Sequence, residues 1–283
     1  MIISYYGITD RQGPGESNTD EWVFLQEVIN ELTLDDSTHL HVVSMTPEWD
    51  YRDAVVLDQG RQNVIIGLKN EYLEDDIPSE WSDNATVFKA YLLPEHEQGN
   101  VHSFPLGYNR KHIKLVNRPI KDRPIDIFFA GNVCAPNKRE HISTLVKFFE
   151  DMPKAERPNV HFYITRGFNI GLDGETYSTK MHDAKIAVCP PGNVSMETFR
   201  HYEAMRSGTV IVSPTLPQTK IYKDAAICQI DNWMENAGQA IMDLLSDLDM
   251  LQLVQERQQQ TYNNRFTAES VAKYIHELLP STK

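Results

Sequence analysis

Residues 184–213 read AKIAVCPPGNVSMETFRHYEAMRSGTVIVS, and the order of elements in this stretch decides the fold. An apolar run at 186–189 stops at Pro190-Pro191-Gly192. Residues 195–206 then read as a helix ended by Gly208, and 210–212 as a second apolar run closed by Pro214. Short, nearly all-apolar runs separated by a helix indicate parallel strands covered on both faces.

The same rhythm extends outward. Upstream lie a strand at 125–130 ending at Gly131, a helix at 139–150 and a strand at 160–164. The helix places Ile142, Leu145, Val146 and Phe149 on one face. A short helix at 176–184 follows. Downstream, 226–230 suits one more strand, and two helical stretches, 233–260 and 268–279, close the chain. Residues 108–124 carry Arg110, Lys111, Lys114, Arg118, Lys121 and Arg123, with Pro119 and Pro124 opposing regular structure, so they read as a solvated linker. Before it, 2–6 is a strand ended by Gly7, and 20–32 is a helix with Trp22, Leu25, Val28, Ile29 and Leu32 on one face. Strands are expected at 39–44, 54–57, 64–66 and 86–92. The expected division is an α/β domain over 1–115, a Rossmann-like domain over 116–262, and a helix at 263–283 packing back on them.

The chain has 283 residues, of which 41% are hydrophobic, enough to build the cores of two modest domains. Its 27 Lys and Arg against 40 Asp and Glu leave a net charge of −13, which excludes a general nucleic-acid binder. The 3 cysteines, Cys134, Cys189 and Cys228, fit no disulfide framework and no zinc spacing, so the expected compartment is the cytoplasm. No run approaches the roughly 20 apolar residues of a membrane span, and the N-terminus lacks the pattern of a secretory signal. Contact with a membrane is expected only peripherally, through the basic linker.

In open parallel sheets, ligands bind beyond the carboxyl ends of the strands. That rule selects the loops after residues 130, 164, 189 and 212. In the third, Gly192 suits a close backbone approach, and Asn193 or Ser195 is expected to cap the next helix, whose positive end favours a phosphate. Arg200 and Glu203, three residues apart, share a helix face. Asn132, Lys138 and Arg139 add anion ligands from the first loop. Taken singly these features are ordinary punctuation, and an Arg200–Glu203 surface ion pair is worth well under about 1 kcal/mol.

Together they form a recognisable pattern. The strand and Pro-Gly loop at 184–192, then Thr198-Phe199-Arg200-His201-Tyr202-Glu203-Ala204, then Gly208 and an apolar strand, resemble the exostosin-like (family 47-like) glycosyltransferases. Phe104-Pro105-Leu106-Gly107, the run Asp126–Gly131 with Arg139 beyond it, and Asp231-Asn232-Trp233 extend the likeness over 104–235. The resemblance implies a GT-B fold, two Rossmann-like domains with parallel sheets facing across a cleft. It implies a nucleotide-sugar donor on the C-terminal domain, a UDP- or GDP-sugar, and a glycan or glycoconjugate acceptor on the other. No cofactor or metal is implied. Carried over, Arg200 and Arg139 face the diphosphate and Glu203 the ribose. Asn132, Lys138, Thr165, Arg166, Gly192, Asn193, Ser195 and Thr198 complete the donor set, with Thr165-Arg166-Gly167-Phe168 reading the base. Many retaining GT-B enzymes carry a second glutamate eight residues before this one. Here Ser195 stands there, which leans toward an inverting enzyme.

An inverting transfer needs a general base. Asp10 and Glu16 rank first because Gly13 and Gly15 suit their loop to approach a ligand; Glu48, Asp50 and His102 follow. Leu73-Glu74-Asp75-Asp76 reads as a solvated acidic loop, and Asp247-Leu248-Asp249 as the surface of a helix. His39 and His41 face one side of a strand without a third metal ligand nearby in sequence and read as a core or cleft pair. The Gly13–Gly15 loop lacks the dinucleotide fingerprint. Other classes compatible with this sequence are a sugar-binding protein without catalysis and a nucleotide-sugar epimerase or hydrolase on the same fold.

Overall fold

The computed structural model describes residues 1–7, 22–46, 49–68, 77–109, 111–167, 170–193 and 195–280. The chain forms two compact units, Met1–Arg110 with Pro217–Lys223 and Asn264–Lys283, and Lys111–Leu216 with Asp224–Asn263. Both are α/β, each built on a parallel sheet.

In the first unit β1 (Ile2–Tyr6), β2 (Thr38–Thr46), β4 (Gln62–Leu68), β5 (Ala85–Lys89) and β6 (Val101–Ser103) lie side by side in that order, all parallel. The two-residue β3 (Trp49–Asp50) pairs antiparallel with β2. Helix α1 (Trp22–Glu31) buries Phe24, Leu25, Val28 and Ile29, the face its spacing predicts. The short α2 (Ser79–Asn84) buries Trp81. The C-terminal α8 (Ala268–Leu278) packs on α1, and the Thr33 N–H donates to His276 Nε2 at 3.2 Å. The strand expected at 54–57 does not form. Arg52–Ala54 make a 3-10 turn and Val56 is 76% exposed, so the run lacks the buried face a strand requires. His39 and His41 stack with ring centroids 4.0 Å apart. Each is held inside the sheet, His41 by Asn63 Oδ1 at 3.1 Å and His39 by Ser4 Oγ at 2.9 Å.

The second unit runs β7 (Ile125–Asn132), α3 (Pro136–Asp151), β8 (Val160–Thr165), α4 (Gly174–His182), β9 (Ala184–Val188), α5 (Phe199–Arg206), β10 (Val210–Pro214), β11 (Cys228–Ile230), α6 (Trp233–Ser246) and α7 (Leu248–Arg265). The strand order is β11-β10-β9-β7-β8, all parallel. The single helix expected over 233–260 is two. Asp247 leaves helical geometry at φ −129°, ψ 89°, and its Oδ1 accepts the Met250 N–H at 2.9 Å to start α7. Its carboxylate is therefore a cap and not a mid-helix surface charge. The order places a topological switch point at β7, which runs to β8 on one side and faces β9 on the other. The crevice beyond the carboxyl ends of β7 and β9 is where such sheets bind ligands.

The linker is not a uniformly solvated basic segment. Arg123 is 1% exposed, and all five of its N–H donors are met. Nε donates to Arg118 O at 3.0 Å, Nη1 to Ala184 O and Thr209 Oγ1 at 2.8 and 2.9 Å, and Nη2 to Asn117 Oδ1 and Ser207 O at 2.8 and 3.0 Å. One side chain thus joins the linker to the starts of β9 and β10 and the end of α5. Gln258 serves the start of β10, ahead of its pairing with β11 at Val212, accepting the Ile211 N–H at 2.9 Å and donating to Thr209 O at 2.6 Å.

Replacing Arg123 with Met leaves several buried carbonyls without a donor. We expect the second unit to lose about 3–5 kcal/mol in urea unfolding; a loss below about 1 kcal/mol contradicts this role.

Candidate functional site

The loop between β9 and α5 folds on itself. The Gly192 N–H donates to Ser195 O at 2.6 Å, and a Cβ at Gly192 would stand 2.9 Å from that oxygen. Ser195 Oγ accepts the Glu197 N–H at 3.1 Å. These bonds hold Asn193 and Ser195 in a turn ahead of the helix, so neither is the cap the sequence suggests. α5 starts at Phe199, four residues later than its periodicity indicates, with Thr198 at the N-cap. The Thr198 N–H meets His201 Nδ1 at 3.2 Å, and His201 Nε2 meets Ser213 Oγ at 2.9 Å, a pairing that the neutral Nε2–H tautomer satisfies. Burial pushes His201 down to about 3.

Arg200, in the first turn of α5, reaches across to β7. Its Nη2 donates to Ala130 O at 2.9 Å, and its guanidinium carbon lies 4.7 Å from the Phe129 ring centroid. Gly131 leaves room for this crossing: a Cβ there would stand 2.5 Å from Nη2 and push the guanidinium from its place. The Nε of Arg200 is buried and meets no hydrogen-bond partner among the described residues. A charged group with an unused donor at a switch point is suited to receive an anion.

Glu203, one turn on, is 5% exposed, which excludes a solvated surface pair. Its Oε2 accepts the Tyr177 hydroxyl at 2.6 Å. Cys189, just past β9, sits close enough to feel both Arg200 and Glu203, yet burial dominates and pushes its thiol up to about 12. It is therefore an inert packing group.

Asn132 and Thr165 are register partners at the ends of β7 and β8. Arg139 folds over its loop, Nε to Val133 O at 3.2 Å and Nη2 to Cys134 O at 3.0 Å. Lys138 is buried in α3, while Arg166 and Asn193 are exposed. Phe168 lies outside the described residues, as do Asp10, Glu16, Glu48 and the acidic loop at 73–76. His102, the remaining histidine candidate, is buried in β6, and desolvation with Lys220 beside it pushes it down to about 4. Sequence reasoning overlooked Phe129 as the platform for Arg200 and Tyr177 as the partner of Glu203. Among the described residues, no cluster of His, Cys, Asp or Glu is arranged to hold a metal, and no helix is long and apolar enough to cross a membrane.

No protein-family model matches the sequence, and no curated protein matches it significantly. Solved structures do resemble it. A sucrose-phosphate synthase from Thermosynechococcus elongatus aligns over 86% of this chain and 72% of its own, at 15% identity and a TM-score of 0.51. An α1,3-fucosyltransferase aligns over 100% and 91%, at 9% identity and 0.51. A variant of S. aureus TarM, solved with fondaparinux, α-GlcNAc-glycerol and UDP, aligns over 90% of this chain at 12% identity and 0.52, and this chain spans 58% of it. At such identities the likeness is one of fold: two α/β units with parallel sheets, of the GT-B kind.

Two neutral histidines in the second unit give it a defined acid response. Burial pushes His112 and His201 down to about 3, so the unfolded chain takes up protons first as pH falls below the ordinary 6.5. Stability is then full above that value and declines toward about 3. Between pH 7 and 5 we expect a loss of about 2 kcal/mol per histidine in urea unfolding. His201→Gln should reduce the slope, and a flat profile contradicts the assignment.

Proposed function

We propose that the protein is a glycosyltransferase that moves a sugar from a UDP- or GDP-sugar to a glycan or glycoconjugate acceptor. The observation that carries this reading is Arg200, held on Phe129 at the switch point with a buried, unused Nε. The fold shared with sugar-transferring proteins, one of them solved with UDP, supports it. So does the exostosin-like pattern over 104–235, and we assign the chain to that kind of enzyme.

In this reading Arg200 turns from the Ala130 carbonyl to the diphosphate, joined by the N-terminus of α5. Arg139, Lys138, Asn132, Gly192, Asn193, Ser195 and Thr198 shape the surrounding loops, Thr165 and Arg166 face the base, and Glu203 takes the ribose. As the glycosidic bond to the diphosphate breaks, negative charge grows on the leaving oxygen. A preorganised guanidinium and helix dipole stabilise it there. The acceptor hydroxyl attacks from the opposite face, giving inversion, and Asp10 or Glu16 removes its proton. We propose that these groups carry the reaction without a divalent metal. Residues 1–115 serve the acceptor side and 116–262 the donor side. The free thiols of Cys134, Cys189 and Cys228 favour a reducing compartment, the cytoplasm.

A thermal-shift panel of UDP, GDP, ADP, CMP and TDP tests the donor site. At a hundredfold excess over Kd the native state gains about 2.7 kcal/mol, a rise of about 5–10 °C in apparent Tm. We expect UDP or GDP to give it and Arg200→Ala to remove most of it. No shift with any nucleotide, or an unchanged shift in the variant, overturns the assignment. A shift with free sugars alone favours a binding protein instead.

A further inference from the structure

We propose that residues 111–121 are a docking strip for an anionic phospholipid surface, on which Ile113 and Val116 enter the headgroup layer while Lys114 and Lys121 meet the lipid anions. The inference does not depend on the donor reading above.

Ile113 is 46% exposed and Val116 89% exposed, and a loose backbone is not the reason. The Ile113 N–H donates to Ser178 Oγ of α4 at 2.9 Å, and His182 Nε2 at the end of α4 donates to the Val116 carbonyl. Arg206 Nη1, in the last turn of α5, donates to His112 O at 2.9 Å. A Cβ on Gly174 would stand 2.4 Å from Lys111 O, so the strip begins in direct contact with the start of α4. Anchored in this way, the backbone turns His112 inward, where its Nε2 meets Ser207 Oγ at 3.0 Å. Ile113 and Val116 are left outward on a fixed support. They stay in water until a partner covers them.

Two exposed aliphatic side chains are ordinary by themselves. Their electrostatic setting is not. The chain carries a net charge of −13, yet 111–121 holds Lys111, Lys114, Arg118 and Lys121 and no carboxylate. Asp183 is engaged by Arg118 Nη1 at 2.7 Å. Asp122, which follows the strip, and Glu175, in the first turn of α4, limit the attraction without reversing it. Lys114 and Lys121 are exposed, and Lys114 stands between the two aliphatic residues in sequence.

A bilayer interface offers anions and hydrocarbon at adjacent depths. A lysine there lays its stem along the apolar boundary and keeps its charge among the headgroups. An acidic protein of the same charge would need a contiguous patch to bury, and two separate aliphatic side chains do not supply one. Each lysine close to an anionic surface strengthens binding about fivefold. The aliphatic pair adds a comparable factor, so docking is weak and reversible.

Cosedimentation of the full chain with vesicles tests this, using phosphatidylcholine alone and phosphatidylcholine with about 30% phosphatidylglycerol. Binding is expected only to the anionic vesicles. Lys114→Gln combined with Lys121→Gln should weaken it about twentyfold, and Val116→Ser about fivefold. All these positions are exposed, so urea midpoints should not move. The pair Lys147→Gln and Lys154→Gln, exposed lysines outside the strip, removes the same charge and should stay within about twofold of wild type. Failure of the wild type to bind anionic vesicles overturns the proposal, as does equal binding to neutral ones. So does an equal loss in the control pair, or unchanged binding by the strip variants. Soluble polyglutamate bound as tightly as the vesicles, with no effect of Val116→Ser, overturns it in favour of an acidic protein partner.

Discussion

The second unit is organised around a buried cation whose hydrogen bonds all go to uncharged oxygens, with the Asp183 charge close enough to be felt. Arg123 lies within the protein with every N–H directed at an oxygen, three of them main-chain carbonyls. A charge in that position is tolerated only while all its donors are met. Any movement of β9, β10 or the end of α5 would strand one of them. Gln255 and Gln258 of α7 add bonds to Gly208 O and Thr209 O, both at 2.6 Å. One edge of the sheet is thereby fixed by hydrogen bonds that serve no chemistry.

The opposite edge is built to be used. α5 is pinned at its C-terminal end, so its first turn projects toward the carboxyl ends of β7 and β9. Arg200 there has a flat support in Phe129, one bond to Ala130 O, and a donor to spare. Gly131 provides the space for it. Glu203 follows one turn later, oriented from α4. Rigidity at one edge, and at the other a supported cation that can exchange one carbonyl for an anion, are complementary properties of a binding site.

Much of this was legible in the sequence because apolar periodicity is local. The strands of the second unit and the buried face of α1 follow directly from spacing. The Arg200–Glu203 placement followed in the same way, since a three-residue separation fixes a helix face. What escaped depends on tertiary partners. Arg123 looked like one more basic residue of a linker until its carbonyl partners from distant strands were in view. Gln258 looked like filler in a helix, whereas its amide stands in for a missing strand at Ile211. Asp247 broke a helix that composition alone would have continued. Ser195 appeared to be a cap because serine suits that position, but the closed turn with Gly192 gave the role to Thr198. Tyr177 carried no signal at all, since a tyrosine in an amphipathic helix is ordinarily core.

The central claim is that the carboxyl edge of β7 and β9 receives a nucleoside diphosphate. A crystal structure of the protein grown with UDP or GDP tests it most directly. The account predicts diphosphate oxygens within hydrogen-bond distance of the Arg200 guanidinium and the first turn of α5, with the ribose hydroxyls on Glu203. A nucleotide bound elsewhere, with Arg200 still on the Ala130 carbonyl and no phosphate beside it, would contradict the account.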